Sequence, residues 1–193
     1  MGKEFELKFR ADSGTLARIE NAMGGGFTPM EMRTTYYDTP QGALSARKWT
    51  LRCRMENGRS VCTLKTPGNG LSRGEWDCEC TDILAAVPLL AQQAELPELT
   101  ELAGAGLIRV CGAAFVRRCK LLTLGRTMVE LALDEGVLEN RGVTMPFAEA
   151  ELELKSGSEE TMLLFARKFQ GDFGLVAEEK SKFARARALG QEE

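Results

Sequence analysis

Glu4, Glu6 and Lys8 stand at alternate positions in Glu4-Phe5-Glu6-Leu7-Lys8-Phe9-Arg10. Alternate side chains of a β-strand share one face. Two carboxylates and an ammonium therefore point one way, and Phe5, Leu7 and Phe9 the other. The alternation returns where Glu149, Glu151 and Glu153 are set against Ala150, Leu152 and Leu154. Between them come Arg52 and Arg54, Thr63 and Lys65, Glu75, Asp77 and Glu79, Arg117, and Glu130 and Asp134. Carboxylates can hold a divalent cation, and guanidinium and ammonium groups can grip an oxyanion. Such charges cannot be buried unpaired without a large cost. They must pair, stay hydrated, or bind something that carries both signs. A solvated face explains any one strand. The whole set, with both signs interleaved, predicts a sheet curled around a charged interior that takes a polyphosphate with divalent cations.

The elements that must position these residues follow from periodicity and turn signals. Strands are expected at Lys3–Arg10, Met30–Asp38, Lys48–Met55, Ser60–Thr66, Gly74–Thr81, Leu107–Leu122, Thr127–Asp134 and Thr144–Lys155. Asn57-Gly58 marks a hairpin turn, Pro67 to Gly70 a second turn, and Gly125 a third. A connection through Gly136, Asn140 and Gly142 leads into the last of these strands. Asp12 or Ser13 caps a helix to about Ala22, which Gly24-Gly25-Gly26 stops. A short helical turn passes through Leu44. Asp82 caps the start of a helical insert over about 82–104, and helices from Ser158 to about Gln170 and from Lys180 to Leu189 close the chain. Many amphipathic strands joined by turns favour a barrel over a doubly wound sheet. The expected fold is α+β: one domain over 1–193, a closed antiparallel barrel with flanking helices.

The totals bound the chemistry. The chain has 193 residues, 25 basic and 28 acidic, with a net charge of −3. That balance implies no bulk attraction to nucleic acid or to an anionic membrane. No apolar run is long enough to span a bilayer and no apolar leader opens the chain, so a cytoplasmic location is expected. The sequence contains no histidine. Ser-His-Asp and Cys-His machinery and His-ligated metals are thereby excluded. A metal would be held by carboxylates, which favours hard ions such as magnesium or manganese. Six cysteines show no CxxC pair and read as buried free thiols, with a Cys78-x-Cys80 redox pair as the weaker alternative. Trp49 and Trp76 read as packing on the outer wall. The basic run Lys180 to Arg187 reads as a helix with solvated charges and Phe183 inward, Lys182 excepted.

Glu4-x-Glu6-x-Lys8 resembles the ExExK signature of the CYTH superfamily, the triphosphate tunnel metalloenzymes. Ordered matches follow: Tyr36-Tyr37-Asp38-Thr39-Pro40, Leu51-Arg52-Cys53-Arg54, Thr63-Leu64-Lys65-Thr66-Pro67, Arg73-Gly74-Glu75-Trp76 and Phe115-x-Arg117-Arg118. Glu130-x-Ala132-Leu133-Asp134-x-Gly136, Glu149-x-Glu151-Leu152-Glu153-Leu154 and Ser181-Lys182-Phe183 complete the set. ExExK alone is a weak pattern; the ordered set is specific and covers nearly the whole chain. The stretch Glu149 to Gly157 is most similar to the bacterial inorganic triphosphatase branch.

The resemblance implies an eight-stranded antiparallel tunnel that binds a triphosphate with Mg2+ or Mn2+, one or two ions. It implies that Glu4, Glu6, Glu149 and Glu151 hold metal, with Glu153 in support and Asp134 available to a second ion. Lys8, Arg52, Arg54, Lys65 and Arg117 then grip phosphate oxygens, and Lys182 grips substrate and orients the attacking water. Glu75 and Glu130 are expected either in catalysis or as salt-bridge partners of the tunnel cations. The implied activity is hydrolysis of tripolyphosphate to pyrophosphate and phosphate. The expected partner is a small triphosphate, with no nucleic acid and no membrane; a homodimer is compatible with the resemblance. A class IV-type adenylyl cyclase is the enzymatic alternative, though no base-reading constellation is visible and the His-Phe found near the start of some cyclases is absent. A non-catalytic polyphosphate or nucleotide binder is the third reading, disfavoured because anion binding alone does not need so many carboxylates.

Overall fold

The alternation of charged and apolar side chains builds a barrel whose apolar face is the outer one. A computed structural model describes residues 2–68 and 72–190; the Asn69 and Gly70 part of the expected second turn lies outside them. The strands are β1 (Gly2–Arg10), β2 (Thr28–Asp38), β3 (Thr50–Glu56), β4 (Arg59–Thr66), β5 (Ser72–Glu79), β6 (Ile108–Leu124), β7 (Thr127–Asn140), β8 (Val143–Ser156) and the short β9 (Val176–Ala177). Antiparallel neighbours run β5-β4-β3-β2-β6-β7-β8-β1, and β1 pairs back onto β5 to close eight strands into a barrel. β1 gives residues Gly2 to Phe5 to β5 on one edge and Glu6 to Arg10 to β8 on the other. Where β5 departs, β9 takes the vacated edge at Phe9 and Arg10. No sequence signal announced β9, since two residues carry no periodicity.

Helices cover the apolar outside. These are α1 (Ser13–Ala22), α2 (Ala43–Ala46), α3 (Ile83–Ala94), α4 (Glu98–Gly104), α5 (Glu159–Phe173) and α6 (Lys182–Ala188). Asp12, Asp82, Ser158 and Ser181 each cap a helix by accepting from a backbone N–H of its first turn. Phe5, Phe9, Leu131, Leu133 and Leu152 pack against Leu16 and Ile19 of α1 and Met162 and Phe169 of α5. A second core joins Leu51, Cys62 and Leu64 to Leu44, Trp49 and the inner face of α3, with Trp76 at its margin. Both tryptophans thus lie outside the barrel. Among the described residues no helix is long and apolar enough to cross a membrane.

One expected boundary is corrected. β7 does not end at Asp134 but runs on through Gly136 to Asn140. The chain turns at Arg141-Gly142, both with positive φ, so β7 and β8 form a tight two-residue hairpin. Gly136 is not a turn residue. It pairs with Phe115 of β6, and a Cβ there would sit 2.5 Å from the Phe115 Cα. Glycine at this position lets two strands pass with a phenylalanine between them.

Candidate active site

The inward faces enclose a cavity of about 420 Å3. Among the described residues its lining holds eight acidic side chains: Glu4, Glu6, Glu56, Glu75, Asp77, Glu130, Glu151 and Glu153. It also holds eight basic ones: Lys8, Arg52, Arg54, Lys65, Arg73, Arg117, Lys155 and Lys182. The formal charges cancel. The guanidinium groups of β3 and β6 stand apart from most of the carboxylates, although Lys8 of β1, Lys155 of β8 and Glu56 of β3 break the pattern. β1, β7 and β8 bring Glu4, Glu6, Glu130, Glu151 and Glu153, whereas β3 and β6, which flank β2, bring Arg52, Arg54 and Arg117. β2 departs from the charged pattern and turns Met30, Met32 and Tyr36 to the cavity.

On the acidic side, Glu6 lies directly opposite Glu153, and Lys8 opposite Glu151. The Lys8 ammonium donates to Glu6 at 3.0 Å. The Lys65 ammonium donates to both Glu4 oxygens at 2.8 Å and lies 3.3 Å from Glu75. Glu75 also meets Arg52 at 3.4 Å, and Glu130 meets Lys155 at 3.3 Å. Glu75 and Glu130 are therefore salt-bridged and still open to the cavity. Burial raises the Glu153 pKa; Lys155 opposes the shift, and the charges of Glu4 and Glu130 add to it. Glu4, Glu6, Glu130 and Glu153 form a crowd of like charges.

The cationic side is crowded in the same sense. Arg54 is only 5% exposed, donates to Thr34 Oγ1 at 2.8 Å, and has its carboxylate contact, Glu56, at 4.0 Å. Burial, then the charges of Arg52 and Arg117, push its pKa down to about 10. Arg52 Nε is buried without a hydrogen-bond partner. Phe115 lies under this cluster. Its ring centroid is 5.5 Å from Arg54, 5.9 Å from Arg117 and 5.1 Å from the Lys182 ammonium, so its π-face offsets part of the cation cost.

At the α6 end the predicted metal residues separate into a second group. Oxygens of Asp134, Glu149 and Glu151 converge within 4.8 Å, the sole such group of three among the described residues. The Lys182 ammonium fills their centre, 2.6 Å from Asp134 and 2.9 Å from Glu151, and also donates to Glu149. Arg117 binds Asp134 through two parallel bonds of 2.8 and 2.7 Å and reaches Glu151 as well. Asp134 and Glu149 are fully buried and do not line the cavity, whereas Glu151 does. Burial alone would raise the Glu151 pKa, but Lys182 and Arg117 outweigh it and hold the group well below the usual carboxylate range. The reverse holds for Lys182, where burial is outweighed by Asp134, Glu151 and Glu149 and the pKa rises.

The helix that carries Lys182 is not solvated as its sequence suggests. Arg185 binds Glu149 and approaches Glu178, and Arg187 meets Asp38 at 3.1 Å. Asn140, at the end of β7, donates to the carbonyls of Arg187 and Leu189. Basic residues on α6 thus answer acids of the barrel rather than water. Sequence reasoning gave no role to Phe115, Lys155 or Arg185. Lys155 was within reach, because it continues the parity of Glu149, Glu151 and Glu153.

The fold and site define a class of closed antiparallel barrels with a charged interior. The CYTH domain model matches residues 2–186, and the chain belongs to that family, the triphosphate tunnel superfamily. An inorganic triphosphatase of Haemophilus influenzae is 29% identical over 163 residues, which are 82% of this chain and 46% of that protein. The chain thus spans about half the length of this curated relative. The Hippeastrum protein HpAC1, described as having a dominant triphosphatase activity, superposes with a TM-score of 0.69 at 20% identity, covering 97% of this chain and 96% of that one. A Bacillus halodurans protein proposed to be an adenylate cyclase gives 0.66 at 20% identity, covering 94% and 96%. The two structures share the fold.

Proposed function

We propose that the chain is a metal-dependent hydrolase of triphosphate compounds, with inorganic tripolyphosphate as substrate and pyrophosphate and phosphate as products. The observation that carries this reading is Arg54. A buried guanidinium crowded by Arg52 and Arg117, with no carboxylate of the described residues nearer than 4.0 Å, lacks the anion its burial calls for. The partnerless Arg52 Nε repeats the demand. Phosphate oxygens meet both with charge-assisted hydrogen bonds.

The carboxylates opposite fit a hard divalent ion such as Mg2+ or Mn2+ by donor type. Glu4, Glu6, Glu151 and Glu153 would hold it, since these open into the cavity. When bound, the ion offsets negative charge on the phosphates. It supplies the positive charge that a lining of eight acids and eight bases does not offer a polyanion. Lys8 and Lys65, which pair with Glu6 and Glu4 in this structure, would be free to turn to the phosphates if those carboxylates held the ion. Arg52, Arg54 and Arg117 hold the chain of phosphates in line and stabilise charge on the transferring group. Lys182, 2.9 Å from Glu151, orients the attacking water at the α6 end. With no histidine in the chain, a cavity carboxylate takes the water's proton.

The test is purified protein with tripolyphosphate, ATP and thiamine triphosphate, with either metal, and product identification. Phosphate and pyrophosphate from tripolyphosphate are expected. Cyclic AMP from ATP would move the assignment to a cyclase. Tight metal-dependent binding without turnover would make it a binding module.

A further inference from the structure

On the outer wall of the barrel, behind the cation row, cysteines stand side by side. Cys53 of β3 is opposite Cys62 of β4, and Cys62 is opposite Cys78 of β5. Cys80 follows on the same face. The sulfurs of Cys62 and Cys53 approach one acceptor, the Cys80 carbonyl, at 3.4 and 3.9 Å. All six cysteines are free thiols.

The two cross-strand pairs are not equivalent. Cys80 N donates to Ser60 O at 3.0 Å, so Ser60, and with it Cys62 two residues on, turns its backbone groups toward β5. Cys62–Cys78 is then a hydrogen-bonded pair, with Cα atoms about 5.5 Å apart, and Cys53–Cys62 is a non-hydrogen-bonded pair at about 4.5 Å, where side chains are closer. Both spacings can be bridged by a disulfide, but only the second pair already has its sulfurs on a common acceptor. Four thiols on one wall also suggest a soft metal ion. Against this, no three thiols among the described residues converge as metal ligands must.

We propose that Cys53 and Cys62 are an oxidation site, converted by a peroxide into a cross-strand disulfide that thiols reverse. The Cys53 sulfur attacks a peroxide oxygen, the O–O bond breaks, and hydrogen peroxide leaves a sulfenic acid and one water. The Cys62 sulfur then attacks the Cys53 sulfur. The S–O bond breaks, S–S forms, and the departing hydroxide takes the Cys62 proton as a second water. The pair loses two electrons and two protons, and the peroxide takes up both. The order follows from access: Cys53 is half-buried, whereas Cys62 is fully buried in the outer core. Burial also pushes the Cys62 thiol pKa up, so closure is slow at neutral pH and quickens as pH rises. Arg52 and Arg54 flank Cys53 and face the cavity, so the clip forms directly behind them.

The reduced full-length chain is treated with hydrogen peroxide, remaining thiols are alkylated, and the protein is digested with trypsin. Cleavage after Arg52, Arg54, Arg59 and Lys65 releases residues 53–54 and 60–65, held together only by the disulfide. The expected result is an intact mass lower by about 2 Da, that linked peptide pair, full reversal by dithiothreitol, and faster formation at higher pH. Cys53→Ala should abolish the mass loss and Cys119→Ala, on β6, should keep it. Alkylation of all six cysteines after peroxide would overturn the proposal. So would a link mapped to Cys78 or Cys80, or stoichiometric zinc that protects four thiols from alkylation. These readouts do not depend on catalysis, so they stand or fall apart from the triphosphatase reading.

Discussion

The Lys182 ammonium lies 2.6 Å from the Asp134 carboxylate, and both groups are buried. Glu149 and Glu151 share the same ammonium, so one residue of α6 meets three carboxylates from two strands, β7 and β8. Removing one partner of a buried ion pair leaves an uncompensated charge, which costs roughly 3–5 kcal/mol. Lys182→Met should therefore lower stability by about that amount in urea titration, beyond any loss of turnover. Adding Glu149→Gln should recover part of the loss, and strict additivity of the two changes would show that the contact carries no coupling.

Arg54 should behave in the opposite way. Its charge is buried with a weak carboxylate partner, so the free protein holds it at a cost. Arg54→Met keeps the volume and removes the charge. Urea stability is expected to hold or rise, while KM for tripolyphosphate rises roughly 10- to 100-fold, the worth of a charge-assisted hydrogen bond. A large loss of stability at unchanged KM would make Arg54 a structural residue.

How much of this was legible depended on the kind of signal. The faces of β1 and β8 follow from parity alone, because period two sorts charge from hydrocarbon without tertiary knowledge. The Asn57-Gly58 turn was legible because both residues suit positive φ, which they adopt. Gly136 misled because glycine marks both a turn and a close approach, and only the partner, Phe115, distinguishes them. Arg185 and Arg187 were read as solvated because their acids, Glu149 and Asp38, lie 36 and 149 residues away. The division of the predicted metal set was not legible either. Glu149 and Glu153 share a face, but only the docking of α6 decides which is sealed by a lysine and an arginine.

Gly136 offers a direct check on the barrel. An added methyl would meet the Phe115 backbone at 2.5 Å and also the Ala114 carbonyl, so β6 must shift. Gly136→Ala should cost about 1–3 kcal/mol by overpacking. Phe115 floors the cation cluster, so KM should rise as well. Gly171, inside α5, has nothing within 4 Å of an added Cβ. Gly171→Ala should stabilise by about 0.5–1 kcal/mol. Equal melting shifts of the same sign for both variants would refute this account of the close approach.

The two acidic groups make different predictions for metal. Glu6 and Glu153 face each other in the open cavity, and Glu6 is answered by Lys8 at 3.0 Å and Arg73 at 3.7 Å. Glu149 is sealed under Lys182 and Arg185 with no exposure. If the ion sits among the open carboxylates, Glu6→Gln and Glu153→Gln remove donors directly. The Mn2+ concentration for half-maximal activity should then rise by at least the roughly 10- to 100-fold that loss of even an outer partner costs a metal site. Glu149→Gln leaves the donors in place but loosens the grip on Lys182, so it should lower kcat while leaving the Mn2+ midpoint within a few-fold. The readout is a Mn2+ titration of phosphate release, after chelator treatment, for the three variants side by side. A Glu149→Gln midpoint displaced as far as that of Glu6→Gln would place the ion at the α6 end, in the position the Lys182 ammonium holds here.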